Sequence, residues 1–272
     1  MNRITERLES LRQQNKKALS LFITAGYPNI ETSINTVIEC ANAGADLIEL
    51  GIPFSDPIAD GPVIQHCSEV SLRNGTTMEQ VFHICGEVRS KTSIPLILMG
   101  YSNPILAYGM ERFFDKCASL GVDGSIIPDI PLEESEEYRK MASAKNISTI
   151  FLAAPTTSNE RLAKLDIASN GFLYCITVTG ITGERPGVAG SALDFLIRAK
   201  KSVKKNPLLA GFGISTVEDA MLIAKAADGI VIGSALMKIL GNSNGSDPIT
   251  NIVNFVTTIR SALDNVSSIL IS

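Results

Sequence analysis

The stretch PLLAGFGISTVEDAMLIAKAADGIVIGS, residues 207–234, decides the fold. Pro207–Ala210 is a short apolar run, and the glycines at Gly211 and Gly213 mark the turn that ends it. Val217–Ala226 then places apolar residues at helical spacing. Gly229–Ile232 is apolar again and shows no polar alternation. Strand, helix and strand in this order form a parallel βαβ unit, and strands without alternation are those buried on both faces.

Worked outward, the same unit recurs along the chain. Strands are predicted over Leu19–Thr24, Asp46–Gly51, Pro95–Gly100, Gly124–Ile127, Ser148–Ala153 and Phe172–Val178, ahead of the two already read. Helices are predicted over Ile30–Ala43, Val63–Arg73, Met78–Arg89, Glu111–Leu120, Leu132–Ala144, Glu160–Ala168, Ser191–Lys204 and Pro248–Leu263. Eight strand units favour an α/β fold of the closed (β/α)8 TIM barrel kind over an open sheet, and the length of 272 residues suits one. Met1–Gln14 carries Ile4, Leu8 and Leu11 at helical spacing, which predicts an extra N-terminal helix capping the bottom of the barrel. No composition shift marks a boundary, and the polar Asn242–Asp247 loop is too short to join domains. A single barrel domain over residues 1–272 is expected.

Composition narrows the chemistry. The formal net charge of −4 lacks the basic surplus of a nucleic-acid binder. Lys200, Lys201, Lys204 and Lys205 fall late in a predicted helix, where they complement the negative end of its dipole. No apolar run approaches the roughly 18 residues of a membrane span, and the N-terminus does not read as a signal peptide. A cytoplasmic protein without membrane contact is expected. The five cysteines form no CxxC pair, so neither a disulfide framework nor a zinc site is suggested. His66 and His83, the only histidines, sit in helical stretches on no metal or triad pattern.

Barrel enzymes work at the C-terminal ends of their strands. After the second strand comes Glu49-Leu-Gly-Ile-Pro-Phe-Ser-Asp-Pro-Ile-Ala-Asp60-Gly-Pro62. Glu49 lies inside an apolar strand, where an unpaired carboxylate is costly. It either finds a cation or faces a polar cavity with a raised pKa suited to proton transfer. Asp60 could cap the helix beginning near Pro62, and Asp56 could be a turn residue. Spacing alone does not choose between Asp56 and Asp60 as a second acid. The far side carries glycines, in Thr179–Gly190, in Gly211-Phe-Gly-Ile-Ser215 and in Gly233-Ser-Ala235. Loops after the last two strands, with backbone amides exposed at a helix N-terminus, suit a phosphate. No nucleotide-binding, nucleophile-elbow or zinc-protease motif is present, and no lysine at a strand end offers a Schiff base. A phosphate-anchored small molecule worked on by carboxylates remains.

Together these segments resemble the tryptophan synthase alpha chain family. The likeness runs from about the first helix through the eighth strand. It rests on Phe22–Pro28, Glu49–Pro62, Met99–Ile105, Pro128–Glu134, Thr182-Gly183, Gly211–Ser215 and Gly233–Ala235, in order. The resemblance implies retro-aldol cleavage of indole-3-glycerol phosphate to indole and glyceraldehyde 3-phosphate. It casts Glu49 as the group that protonates C3 of the indole and helps deprotonate the glycerol hydroxyl. Asp60 would accept a hydrogen bond from the indole N–H. Phe22, Tyr101, Tyr174 and Phe212 match positions around the indole or the catalytic glutamate, and Gly183, Gly213, Gly233 and Ser234 match the phosphate cradle. Thr182 would contact Asp60 when the loop after the sixth strand closes. The resemblance also implies no cofactor in this chain. Pyridoxal phosphate is expected in a beta subunit, met near Pro53–Pro57, within an alpha2beta2 tetramer that receives the indole. Departures stand at Gly100 and Ser102, small residues where the family often has larger ones, which could loosen the indole pocket, and at Thr177-Val-Thr179, which could alter the loop's kinetics. Two other readings compete: a partner that activates the beta subunit without cleaving, and a sugar-phosphate isomerase on the same barrel.

Overall fold

The computed structural model describes residues 2–177, 188–211, 213–242 and 247–266. Its strands are β1 (Ala18–Thr24), β2 (Leu47–Gly51), β3 (Leu96–Met99), β4 (Gly124–Ile126), β5 (Ser148–Thr149), β6 (Leu152–Ala153), β7 (Leu173–Ile176), β8 (Leu208–Gly211) and β9 (Gly229–Ile232). The helices are α1 (Arg3–Gln13), α2 (Ile30–Asn42), α3 (Pro62–Arg73), α4 (Met78–Lys91), α5 (Ser102–Tyr108), α6 (Met110–Ser119), α7 (Glu136–Ala144), α8 (Asn159–Ala168), α9 (Val188–Ser202), α10 (Val217–Ala226), α11 (Ser234–Gly241) and α12 (Pro248–Leu263).

The strands pair in the order β5-β4-β3-β2-β1-β9-β8-β7-β6, each pair in parallel register. The two ends of that order, β5 and β6, are the halves of the strand predicted over Ser148–Ala153. Between them the Ile150 amide donates to the Ser125 carbonyl (3.1 Å), and the Phe151 carbonyl accepts from the Tyr174 amide (3.0 Å). Two residues thus carry the chain from the β4 side to the β7 side and close the barrel. Nearly every strand residue is buried, as the apolar runs require.

α1 closes the bottom of the barrel, as its apolar spacing predicts. Ile4 is fully buried, and a Cβ added at Gly124 would stand 2.8 Å from its Cδ1. Acids preceding the strands tie this end together. Asp46 accepts from the Leu19 amide (2.8 Å), Asp123 from Leu96 (2.9 Å) and Asp228 from Leu208 (2.9 Å). Arg7 and Arg260 meet on Asp46, and Arg3 and Arg89 on Asp123. These partly buried, hydrogen-bonded ion pairs join α1, α4 and α12 to the strands.

Several boundaries differ from the sequence reading. α5 and α11 were not anticipated. α5 starts because Asp129, on the loop after β4, accepts from the Ser102 amide (2.9 and 3.2 Å) and from Ser102 Oγ (2.7 Å). The helix predicted from Leu132 opens as a 3₁₀ turn over Leu132–Glu134 before α7. α9 ends at Ser202, since the Lys204 and Lys205 amides go instead to the Asp166 carboxylate (2.7 and 2.8 Å). The lysine cluster does more than face a helix dipole. Lys200 pairs with Asp228 (2.9 Å), and Lys205 Nζ donates to the carbonyls of Ile167 (3.1 Å) and Ser169 (2.8 Å). The five cysteines are buried thiols. Among the described residues no helix is long and apolar enough to cross a membrane, and no group of three metal-ligating side chains converges.

Candidate active site

The register of β1 on β2 sets Phe22 beside Glu49 and Ser20 beside Leu47. Side chains at alternate positions point to one face of a strand, so Ser20, Phe22 and Glu49 share the barrel interior. Glu49 is fully buried and, among the described residues, pairs with no cation. Its Oε1 accepts a hydrogen bond from Ser20 Oγ (2.8 Å), and its Oε2 has no hydrogen-bond partner among the described residues. Burial pushes its carboxyl up to about 7, and the Ser20 hydrogen bond opposes that rise. The salt-bridged core glutamate weighed from sequence is not what the barrel holds.

Asp60 ends the loop that follows β2 and is half-buried. The N-cap of α3 is Gly61, with no side-chain cap, so the Asp60 carboxylate is free of capping work. It accepts instead from the Tyr101 hydroxyl, which itself accepts from the Ala59 amide (3.0 Å). Burial raises Asp60 to about 6 against the pull of that bond. The same burial, with the Asp60 charge next, holds the Tyr101 phenol above its usual range, so it stays a donor. Asp56, the alternative second acid, is exposed.

A small recess opens beside Asp60 and Tyr101, lined also by Phe22, Gly51, Met99 and Pro128 among others. Glu49 is not among its lining residues. Phe22 lies over Gly51, where an added Cβ would fall 2.3 Å from Phe22 Cζ, so only glycine leaves the ring its place. Tyr174 is buried on β7, and its phenol is raised well above the usual range by burial first and then by the charges of Glu49 and Asp60. Its hydroxyl occupies the space over Gly211, where a Cβ would come within 2.6 Å. Tyr174 therefore joins Glu49 and Asp60 in one electrostatic neighbourhood.

The glycine side stands across Phe22. Gly233 precedes α11 without a side-chain cap, and a Cβ there would lie 3.2 Å from Phe22 Cβ. Ser234 opens α11 and is exposed, and Gly213 holds a φ of +82° that favours glycine. Leu236, Met237 and Leu240 anchor α11, so its N-terminus is fixed over the barrel mouth. Thr182, Gly183 and Phe212 lie outside the described residues. Ile52 fills the space at Gly100, where a Cβ would come within 2.8 Å of the Ile52 Cβ, and Ser102 is held by Asp129. Thr177 ties the end of β7 to β8 through two bonds to the Gly211 carbonyl (3.0 and 2.9 Å). Ser20 went unnoticed in the sequence. Its signal was a lone hydroxyl in an apolar strand, two residues from Phe22 and so on the same face.

The family profile described as tryptophan synthase alpha chain matches residues 8–265. The chain belongs to the tryptophan synthase alpha chain family. It is 43% identical over 260 residues to the alpha chain of Citrifermentans bemidjiense, covering 96% of this chain and 97% of that one. The alpha chain of Pelobacter propionicus is 44% identical over 265 residues, 97% of this chain and 98% of that one. A crystal structure of the tryptophan synthase alpha chain from Legionella pneumophila superposes with a TM-score of 0.88 at 36% identity, covering 99% and 100% of the two chains. A chain of tryptophan synthase from M. tuberculosis in an aminoacrylate-bound form superposes with a TM-score of 0.86 at 28% identity, covering 97% and 100%. The activity that goes with this family is a carbon–carbon lyase reaction, the cleavage of indole-3-glycerol phosphate in tryptophan biosynthesis.

Proposed function

We propose that Glu49 and Asp60 are the acid and the electrostatic partner of that cleavage. Glu49 starts as the carboxylic acid and gives its proton to C3 of the indole. Positive charge then spreads onto the ring nitrogen, where ionised Asp60 accepts the N–H. That charge grows during reaction, so a carboxylate already in place favours the transition state over the substrate. Glu49, now ionised, takes the proton of the hydroxyl on the adjoining glycerol carbon. The carbon–carbon bond breaks, its electrons return to the ring, and the carbinol carbon becomes the aldehyde of glyceraldehyde 3-phosphate. Glu49 ends protonated, as it began.

The observation carrying this reading is a fully buried glutamate with no cation beside it among the described residues, sharing a neighbourhood with Asp60 and Tyr174. Phe22, Tyr101 and Tyr174 are assigned to the indole and its acids. The start of α11 at Gly233 and Ser234, with Gly213, is assigned to the phosphate. Gly183, Phe212 and Thr182 keep the roles the resemblance implies. The whole chain, 1–272, is taken as one barrel domain working in the cytoplasm. It needs no cofactor of its own, and it passes indole to a pyridoxal-phosphate beta subunit in an alpha2beta2 assembly. Glu49→Gln and Asp60→Asn are each expected to lower indole release from indole-3-glycerol phosphate by roughly 10²-fold or more. Near wild-type turnover in both, in folded protein, removes the assignment. The retained acids speak against a non-cleaving partner, which would release no indole in the same assay. Turnover of a sugar phosphate without indole would favour the isomerase.

A further inference from the structure

We infer that Ser20 is a positioning residue for Glu49, pinning Oε1 so that Oε2 alone exchanges the proton. This rests on the role proposed for Glu49. Ser20 is fully buried on β1, between Leu19 and Leu21, and a hydroxyl in such a place is costly unless it makes a hydrogen bond. The bond it makes is to Glu49 Oε1, at 2.8 Å. Parallel register brings the two side chains together, since Ser20 sits one alternate position before Phe22, the partner of Glu49. Both residues lie on regular strands, so the backbone leaves their separation little freedom.

The consequence is an asymmetry between the two oxygens. Oε1 accepts from the serine, so when Glu49 is protonated the proton belongs on Oε2. Oε2 is also the oxygen with no hydrogen-bond partner among the described residues. A carboxyl free to rotate would present either oxygen, in either protonation geometry, to C3 and to the glycerol hydroxyl. Pinning one oxygen makes the other both donor and acceptor, and one atom then serves both proton transfers. The bond also favours the ionised form formed midway through the reaction, opposing the desolvation that holds the proton on.

The test uses the full chain with its beta subunit and the variants Ser20→Ala and Ser20→Thr. Ser20→Ala removes one oxygen, and its folding is checked by Tm. Indole release is followed across pH. In parallel, the side-chain carboxyl of Glu49 is titrated by 13C NMR, with Glu49→Gln identifying its resonance. For Ser20→Ala the expected results are a kcat lowered about tenfold at the plateau with KM little changed, and an alkaline limb moved up by about one pH unit. The Glu49 resonance should move by the same amount, and Ser20→Thr should restore both. A Ser20→Ala enzyme with its limb and its resonance where the wild type has them overturns the inference. A shifted resonance beneath an unshifted rate profile also overturns it, and then places the failure in the acid role given to Glu49.

Discussion

Glu49 and Asp60 are held above the usual carboxyl range, at about 7 and about 6, because burial penalises the ion more than their single hydroxyl partners relieve it. That difference sets a pH dependence. If Glu49 must hold a proton and Asp60 must lack one, cleavage falls above about 7 and below about 6. Rates of indole release across pH should be bell-shaped, and in the weakly active Glu49→Gln enzyme the alkaline limb should vanish. Stability follows the same group. A carboxyl whose folded pKa is raised keeps a proton that the unfolded chain gives up. Its folded state therefore loses stability as pH climbs from about 4.5 to about 7, then levels off. Glu49→Gln removes that loss, and Gln can still accept from Ser20. Its Tm should exceed wild type at pH 8, by a stability on the order of 3 kcal/mol, and converge on it near pH 4. Equal Tm values at both pH values would show that Glu49 is not desolvated in solution. At this scale, the sequence exposed a charged residue in an apolar strand. It did not expose the hydroxyl beside it, because that contact depends on the register between β1 and β2.

Elements that hold the site are unevenly legible in the sequence, and the reason lies in what starts each one. α10 and α12 match their predicted bounds. Thr216 and Asp219 form a capping box for α10, and Asp247 caps α12, so both signals are local. α5 is started by Asp129, distant in sequence, and its N-cap is Tyr101, the donor to Asp60. The position of Tyr101 thus depends on a contact no local pattern reports. α1 is legible because its apolar face is written in its own residues. Ile4→Ala is expected to destabilise the fold by about 2–5 kcal/mol, measured by urea unfolding. Indole release per folded molecule should be unchanged, since α1 seals the opposite end of the barrel from the acids. A variant equal to wild type in stability would mean that α1 does not plug the barrel.

For the whole molecule, we propose that a beta subunit docks on the rim around the acids. Pro53 and Pro57, named by the resemblance, are themselves buried, while Ser55, Asp56 and Ile58 of the same loop face outward, with Ile58 81% exposed. Leu106, on α5 after the next strand, is 59% exposed. Ile58→Asp is expected to weaken binding of the beta subunit at least tenfold, read by calorimetry, while the Tm stays put. Unchanged affinity would move the proposed interface off this loop. An exposed aliphatic residue on a loop tip has no periodic context, so only the folded chain displays it.

The alternation of buried strands and amphipathic helices, the plug at Ile4, the acid at Glu49 and the ordered segments shared with the family were all written in the chain itself. They depend on residue type and short spacing, which folding does not alter. Other features exist only after closure. These are the division of Ser148–Ala153 between two strands, the Ser20 bond to Glu49, the freedom of Asp60 from capping and its link to Tyr101, and the filling of Gly100 by Ile52. Each is a contact between segments far apart in sequence, and the barrel's register and curvature, not any local preference, bring such segments within reach.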